Sequence, residues 1–155
     1  MKRSVINTNI EWAMELCKKM NFHLPDFFYW TPEEWEAKKD KTQRMRDVGL
    51  GWDVTDYASG DFDKIGAVLG TLRNGYMGDM ERPYCEKIIA MKDGQILPRH
   101  FHYEKTEDII NRCGGTLCVE VWQSKPEAEG YAVDMESDVT VYCDGMEVTV
   151  PAGGV

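Results

Sequence analysis

The chain has 155 residues, enough for one domain with a substantial core. Aspartate and glutamate outnumber lysine and arginine by 27 to 18, and the net charge of −9 argues against nucleic acid or an anionic membrane as a partner. No long apolar run follows the N-terminal Met1, so neither a signal peptide nor a membrane span is expected. The five cysteines are odd in number and lack a CxxC spacing, which predicts a reducing, cytoplasmic compartment.

Two helices are predicted near the N-terminus. Apolar residues recur at helical spacing between Ile6 and Met20. Thr31 can cap a second helix, in which Pro32 fits the first position and Glu34 completes a capping box. The charged run 36–46 predicts the solvated face of the same helix. We therefore assign residues 1–50 to an N-terminal helical segment.

Residues 51–155 carry the pattern of a β domain. Turn signals at Asp93-Gly94 and Asp144-Gly145 predict hairpins. Short strands at near-regular spacing predict an all-β sandwich or barrel, so the fold class is mainly β after two helices. The predicted strands are 62–72, 84–91, 97–103, 116–122, 129–134, 139–143 and 146–150.

The most informative motif is a pair of histidines in one predicted strand. His100 and His102 are two residues apart, so their side chains would project from the same face. A third ligand requires the chain to turn at 104–106, which would return Glu107 or Asp108 toward the imidazoles. Two imidazoles and a carboxylate can hold a divalent metal, and a cupin-type jelly-roll barrel suits such a strand. The alternative is an exposed histidine pair that binds nothing.

The run PRHFHYEKTEDIINRCGG, residues 98–115, resembles the metal-binding segment of the D-lyxose isomerases, which are cupin-fold aldose–ketose isomerases. The segments 22–35 and 149–154 also look like that family, so the resemblance spans nearly the whole chain. Cys113 departs from the pattern, in which glycine is expected. The resemblance implies His100, His102 and Glu107 as metal ligands, with Lys105 and Glu107 as catalytic residues.

The same resemblance implies interconversion of D-lyxose and D-xylulose, with D-mannose and D-fructose as a further pair. Manganese is the expected metal, with zinc, cobalt and iron as alternatives. Proton transfer through a cis-enediol and a metal-assisted hydride shift are both compatible with these residues. In the family a third histidine comes from a later strand, whereas this sequence ends at Val155. We therefore expect residues 1–155 to be the N-terminal two thirds of a longer protein, with an incomplete barrel.

Two other functions fit the residues alone. Two histidines and a carboxylate resemble the facial triad of non-haem iron oxygenases, and a non-enzymatic sugar-binding cupin is a further alternative. The expected partner is a monosaccharide. A homodimer is also expected, because the aromatic run Phe27–Trp30 requires burial against the main domain or a second subunit.

Overall fold

A computed structural model describes residues 1–76, 78, 80–127, 130–143 and 147–150, with backbone alone for 125–127, 130–132 and 147–149. The chain divides into two compact units, Met1–Leu97 and Pro98–Val155. The boundary at residue 50 that we predict from the sequence remains a prediction. No helix in the described part of the chain is both long enough and apolar enough to cross a membrane.

Helix α1 spans Arg3–Lys19 and confirms the first predicted helix. Ala13 and Cys17 are buried on one face, while Ile10 and Met14 are partly buried beside them. This spacing of three to four residues places an apolar stripe against the sheet of the first unit. The helix therefore forms because one face can be buried there.

The capping box at Thr31 is confirmed. The Glu34 amide donates to Thr31 Oγ1 at 3.3 Å, and the Thr31 amide donates to Glu34 Oε2 at 2.8 Å. These two bonds satisfy backbone donors that have no partner within the helix.

The prediction of one continuous second helix is wrong. Thr42 is buried, and its hydroxyl donates to the Lys38 carbonyl oxygen at 3.0 Å. Such back-bonding by threonine often bends a helix, and Thr42 lies where this segment is interrupted. The segment has three short pieces: α2 (Pro32–Ala37), a 3-10 turn (Lys39–Lys41) and α3 (Gln43–Asp47).

The first unit contains one antiparallel sheet in the order β1-β2-β3. Its strands are β1 (Gly51–Thr55), β2 (Ala67–Asn74) and β3 (Cys85–Ala90). The strand that we predict over 84–91 is thus confirmed, but the one predicted from residue 62 begins at Ala67. A turn precedes it, because the amides of Lys64 and Ile65 both donate to the Asp61 carbonyl.

The core of this unit lies between α1, the aromatic segment after it and the sheet. Phe28 is 3% exposed, and its ring contacts those of Phe27 and Trp52. Its carbonyl accepts a hydrogen bond from Trp52 Nε1 at 3.0 Å. Gly70 on β2 allows this packing, because a Cβ there would lie 2.8 Å from the Phe28 ring. Most of the Phe27–Trp30 run is therefore engaged within its own unit.

The second unit contains two antiparallel strand pairs. Strand β4 pairs with β7, and β5 pairs with β6 through a long register that is interrupted between Val121 and Gln123. The two strands predicted over 129–134 and 139–143 form the single strand β6. The Asp144-Gly145 turn lies outside the described residues, as does most of the 149–154 motif. The strands are β4 (Glu107–Ile110), β5 (Leu117–Glu127), β6 (Gly130–Cys143) and β7 (Glu147–Val150).

The strand predicted over 97–103 is wrong, because these residues form no ladder. Asp93-Gly94 does make a turn, in which Gly94 has a φ of 74°. The segment after it forms a single bridge between Ile96 and Ile65 instead of a hairpin. The described residues form a mixed architecture of helices and antiparallel sheets. The strands among these residues do not close into a barrel.

Candidate metal centre

The two histidines and Glu107 converge at the start of the second unit. The irregular segment 98–106 carries both imidazoles, and Glu107 is the first residue of β4. The ring centres of His100 and His102 are 5.0 Å apart, and His102 Nε2 lies 3.2 Å from Glu107 Oε2. The turn at 104–106 thus brings Glu107 back to the imidazoles although the preceding strand is absent.

These three residues fit a divalent metal. One donor atom from each lies within 4.8 Å of the others. Neighbouring ligands of a tetrahedral ion with bonds of about 2.1 Å are about 3.4 Å apart, so the most widely separated donor atoms would have to approach each other by about 1 Å to hold an ion. No other compact group of three histidine, cysteine or acidic side chains occurs among the described residues. The carboxylate in this group is that of Glu107, and neither Glu104 nor Asp108 belongs to it.

Hydrogen bonds determine which imidazole nitrogen of His100 can bind an ion. His100 Nδ1 lies 2.9 Å from the Pro98 carbonyl oxygen. A carbonyl can only accept, so Nδ1 carries the hydrogen and Nε2 keeps the lone pair that a metal needs. The Pro98 carbonyl therefore fixes both the tautomer and the orientation of this ring.

The environment of His102 favours its neutral form. Burial and the nearby Lys105 ammonium lower the pKa of His102, while Glu107 acts in the opposite direction. A neutral imidazole is the form that binds metal, because protons compete for the same lone pair.

Lys105 contacts the other oxygen of Glu107. Its Nζ lies 3.6 Å from Glu107 Oε1, while Oε2 faces His102. The lysine side chain is 57% exposed, so this ion pair is weak in stability terms. The ion pair holds the ammonium group beside the carboxylate of Glu107.

Arg99 is a residue that the sequence reasoning missed. Its guanidinium lies 4.8 Å from the Trp122 ring centre on β5, and Nη1 lies 3.2 Å from Met135 Sδ on β6. Cation–π contacts of this kind attach a side chain to an aromatic face. Since 98–106 belongs to no sheet, Arg99 joins the histidine segment to the β5–β6 hairpin. No local signal in the sequence pairs Arg99 with Trp122.

We expect Arg99→Ala to weaken Mn²⁺ binding by about tenfold, because supporting residues behind metal ligands typically contribute that much. Arg99→Lys keeps the charge but loses the planar stacking, so an intermediate loss is expected. Calorimetric titration with Mn²⁺ measures both. The matched control is Arg112→Ala, which removes an exposed arginine of the same unit. Equal affinities in the Arg99 and Arg112 variants would contradict a positioning role.

Comparison with known proteins determines the family. The D-lyxose isomerase family model matches residues 1–155. The chain belongs to the D-lyxose isomerase family. Two proteins named D-lyxose/D-mannose isomerase, from Escherichia coli O157:H7 and Serratia proteamaculans, are each 38% identical to it over 156 residues. Each alignment covers 99% of this chain and 67% of the relative.

This membership of the D-lyxose isomerase family confirms the resemblance carried by residues 98–115. The chain is accordingly an enzyme of the sugar isomerase class. That result favours an isomerase over an oxygenase and over a non-enzymatic sugar-binding cupin. Two histidines and a carboxylate alone are compatible with all three functions. The roles of the individual site residues remain proposals.

Proposed function

We propose that the chain is a metal-dependent aldose–ketose isomerase that interconverts D-lyxose and D-xylulose, and also D-mannose and D-fructose. The proposed metal dependence is supported by one observation, the convergence of His100, His102 and Glu107 in one compact group. The choice of sugars follows the names of the relatives and the resemblance of the sequence.

His100, His102 and Glu107 would hold the ion. A divalent ion supplies a Lewis acid that stabilises negative charge developing on the sugar oxygens. The Pro98 carbonyl keeps His100 Nε2 available, and Glu107 contributes the anionic donor. Three protein donors leave further coordination positions open to substrate oxygens.

Lys105 would act as a cation that binds substrate oxygens at the edge of the site. Its contact with Glu107 Oε1 holds the ammonium near the donor group and leaves Oε2 for the ion. Glu107 thereby has a catalytic role in addition to ligation, since it links Lys105 to the metal centre. A lysine serves here because its ammonium is a compact charge with three donors.

Manganese is the metal that we propose. Two nitrogen donors and one carboxylate also suit zinc, cobalt and iron, because selectivity depends on geometry and supply more than on affinity. Competition titrations with these four ions rank their affinities, and activity with each ion identifies the functional metal.

Turnover under anaerobic conditions tests the function. The full chain is stripped with a chelator and supplied with Mn²⁺ and D-lyxose, and formation of D-xylulose is followed. We expect ketose to form without oxygen only in the metal-loaded sample. A requirement for oxygen would support the oxygenase instead, and full activity in the stripped sample would contradict metal dependence.

We further propose a cupin-type jelly roll for this family member, a homodimer and a cytoplasmic location. The antiparallel pairs β4–β7 and β5–β6 are compatible with a jelly roll. The proposed location follows from the odd number and irregular spacing of the five cysteines in the sequence. Sedimentation of the purified chain tests the dimer.

A further inference from the structure

Asn111 connects the two strand pairs of the second unit. It is the residue directly after β4, and its Nδ2 donates to the Cys143 carbonyl oxygen, at the end of β6, with a distance of 2.7 Å. The same nitrogen donates to the Gly115 carbonyl oxygen, in the loop before β5, at 2.8 Å. An amide nitrogen carries two hydrogens, so each carbonyl can accept one of them.

The bond to Cys143 ties β4 to the β5–β6 hairpin. Whereas the bond to Gly115 spans four positions and closes a local turn, the bond to Cys143 joins residues 32 positions apart. Among the described strands, β4 has a ladder only with β7. Cys143 is fully buried, and a hydrogen bond shielded from water is stronger than an exposed one. Asn111 therefore supplies a link that no ladder of β4 provides.

The β5–β6 hairpin leads from Asn111 to the arginine beside the histidines. Cys143 is paired with Leu117 across this hairpin. Trp122 lies further along β5, at a distance of about 16 Å from Leu117 given the rise of an extended strand. The Arg99 guanidinium lies 4.8 Å from the Trp122 ring centre. The same hairpin thus contacts both Asn111 and Arg99.

The three candidate ligands lie between these two contacts along the chain. From Arg99 the chain passes through both histidines to Glu107, and β4 then leads to Asn111 over about 13 Å. Chain and contacts together form one closed circuit through Arg99, Glu107, Asn111 and the hairpin. When either contact is broken, only the irregular residues 103–106 and the contact of His102 with Glu107 connect the imidazoles to the carboxylate.

We propose that Asn111 is a positioning residue of the metal centre. Its bond to Cys143 holds β4, and hence the Glu107 carboxylate, in place relative to the histidine segment that Arg99 holds on the same hairpin. This role rests on the metal centre proposed above and adds a residue outside its donor set. Asparagine is required, because an ionised aspartate of nearly the same shape has no hydrogen to donate to either carbonyl.

Asn111→Asp tests this role, because both bonds are lost while the shape of the side chain is kept. We expect Mn²⁺ affinity, measured by calorimetry, to fall by about threefold to thirtyfold, as for changes within a coupled network. The matched control is Asn74→Asp, which removes a bond of the same kind in the first unit, from Asn74 Nδ2 to the Val48 carbonyl oxygen at 2.8 Å. Equal affinities in the two variants would overturn the proposal.

A double-variant cycle separates one shared circuit from two independent losses. If Arg99 and Asn111 belong to the same circuit, opening it once suffices. The variant Arg99→Ala/Asn111→Asp should then bind Mn²⁺ no more than about twofold more weakly than the weaker of the two single variants. The losses of independent residues multiply instead, so a loss in the double variant equal to the product of the single losses would contradict the circuit.

Nuclear magnetic resonance of the metal-free chain separates this test from that of the metal. We expect the ring signals of His102 to shift in Asn111→Asp, because His102 Nε2 lies 3.2 Å from Glu107 Oε2, and to stay unchanged in Asn74→Asp. Unchanged signals in Asn111→Asp would overturn the role of Asn111 whether or not the chain binds Mn²⁺. Shifted signals in a chain that binds no metal would support that role and contradict the metal centre.

A measurement on the unmodified chain applies if Asn111→Asp does not fold. Coupling between two sites is reciprocal, so a bound metal should act on Asn111. With Zn²⁺, the side-chain amide hydrogens of Asn111 should exchange with solvent more slowly, while those of Asn74 keep their rate. An equal response at the two asparagines, or none at Asn111, would show that Asn111 has no part in the metal centre.

Discussion

The His102→Ala variant is expected to lose at least about 100-fold in Mn²⁺ affinity, because removing a supporting residue behind a ligand already costs 10–100-fold. It removes the donor atom that lies 3.2 Å from Glu107 Oε2. Only His100 and Glu107 of the compact group would remain. Isomerisation of D-lyxose should fall by a similar factor at limiting metal, and both quantities can be measured on the same preparation.

His23→Ala is the matched control, because His23 is the third histidine of the sequence and is exposed in the first unit. This variant should retain wild-type Mn²⁺ affinity and turnover. A His102→Ala protein that folds normally and still binds Mn²⁺ with wild-type affinity would remove this residue from the proposed ligand set.

The Phe28→Ala variant is expected to lower the free energy of unfolding by about 3–5 kcal/mol, the usual cost of truncating a buried phenylalanine. Phe28 is 3% exposed and contacts both Phe27 and Trp52. Its ring packs over Gly70, where the sheet backbone offers no side chain to fill the space. The resulting cavity cannot collapse readily, so the loss should approach the upper part of this range.

Tyr29→Ala provides the comparison within the same aromatic run. Tyr29 is 52% exposed, so its truncation should change the free energy of unfolding by less than about 1 kcal/mol. Urea denaturation followed by tryptophan fluorescence measures both variants. Equal losses for Phe28→Ala and Tyr29→Ala would contradict the core assigned to the first unit.

Local signals in the sequence predict several features correctly. The capping box at Thr31 depends on residues three apart, and the apolar stripe of α1 depends on spacing within one helix. The return of Glu107 toward His102 follows from a short polar turn. These features need no information from distant parts of the chain.

Features that depend on distant contacts could not be predicted in the same way. Strand β7 pairs with β4, and nothing in its alternation of residues specifies that partner. The histidine segment lacks a ladder, yet its donor atoms converge through the Pro98 carbonyl and the carboxylate of Glu107. The contact of Arg99 with Trp122 joins residues 23 positions apart and likewise leaves no local signature.

Pulsed electron paramagnetic resonance of bound Mn²⁺ tests most directly whether His100, His102 and Glu107 hold the metal. Nitrogen-14 modulation from coordinated imidazole should appear in the wild type and in His23→Ala. It should be weaker or absent, together with most of the bound Mn²⁺, in His100→Ala/His102→Ala. Bound Mn²⁺ that shows no imidazole nitrogen, or a signal unchanged in the double variant, would contradict the account.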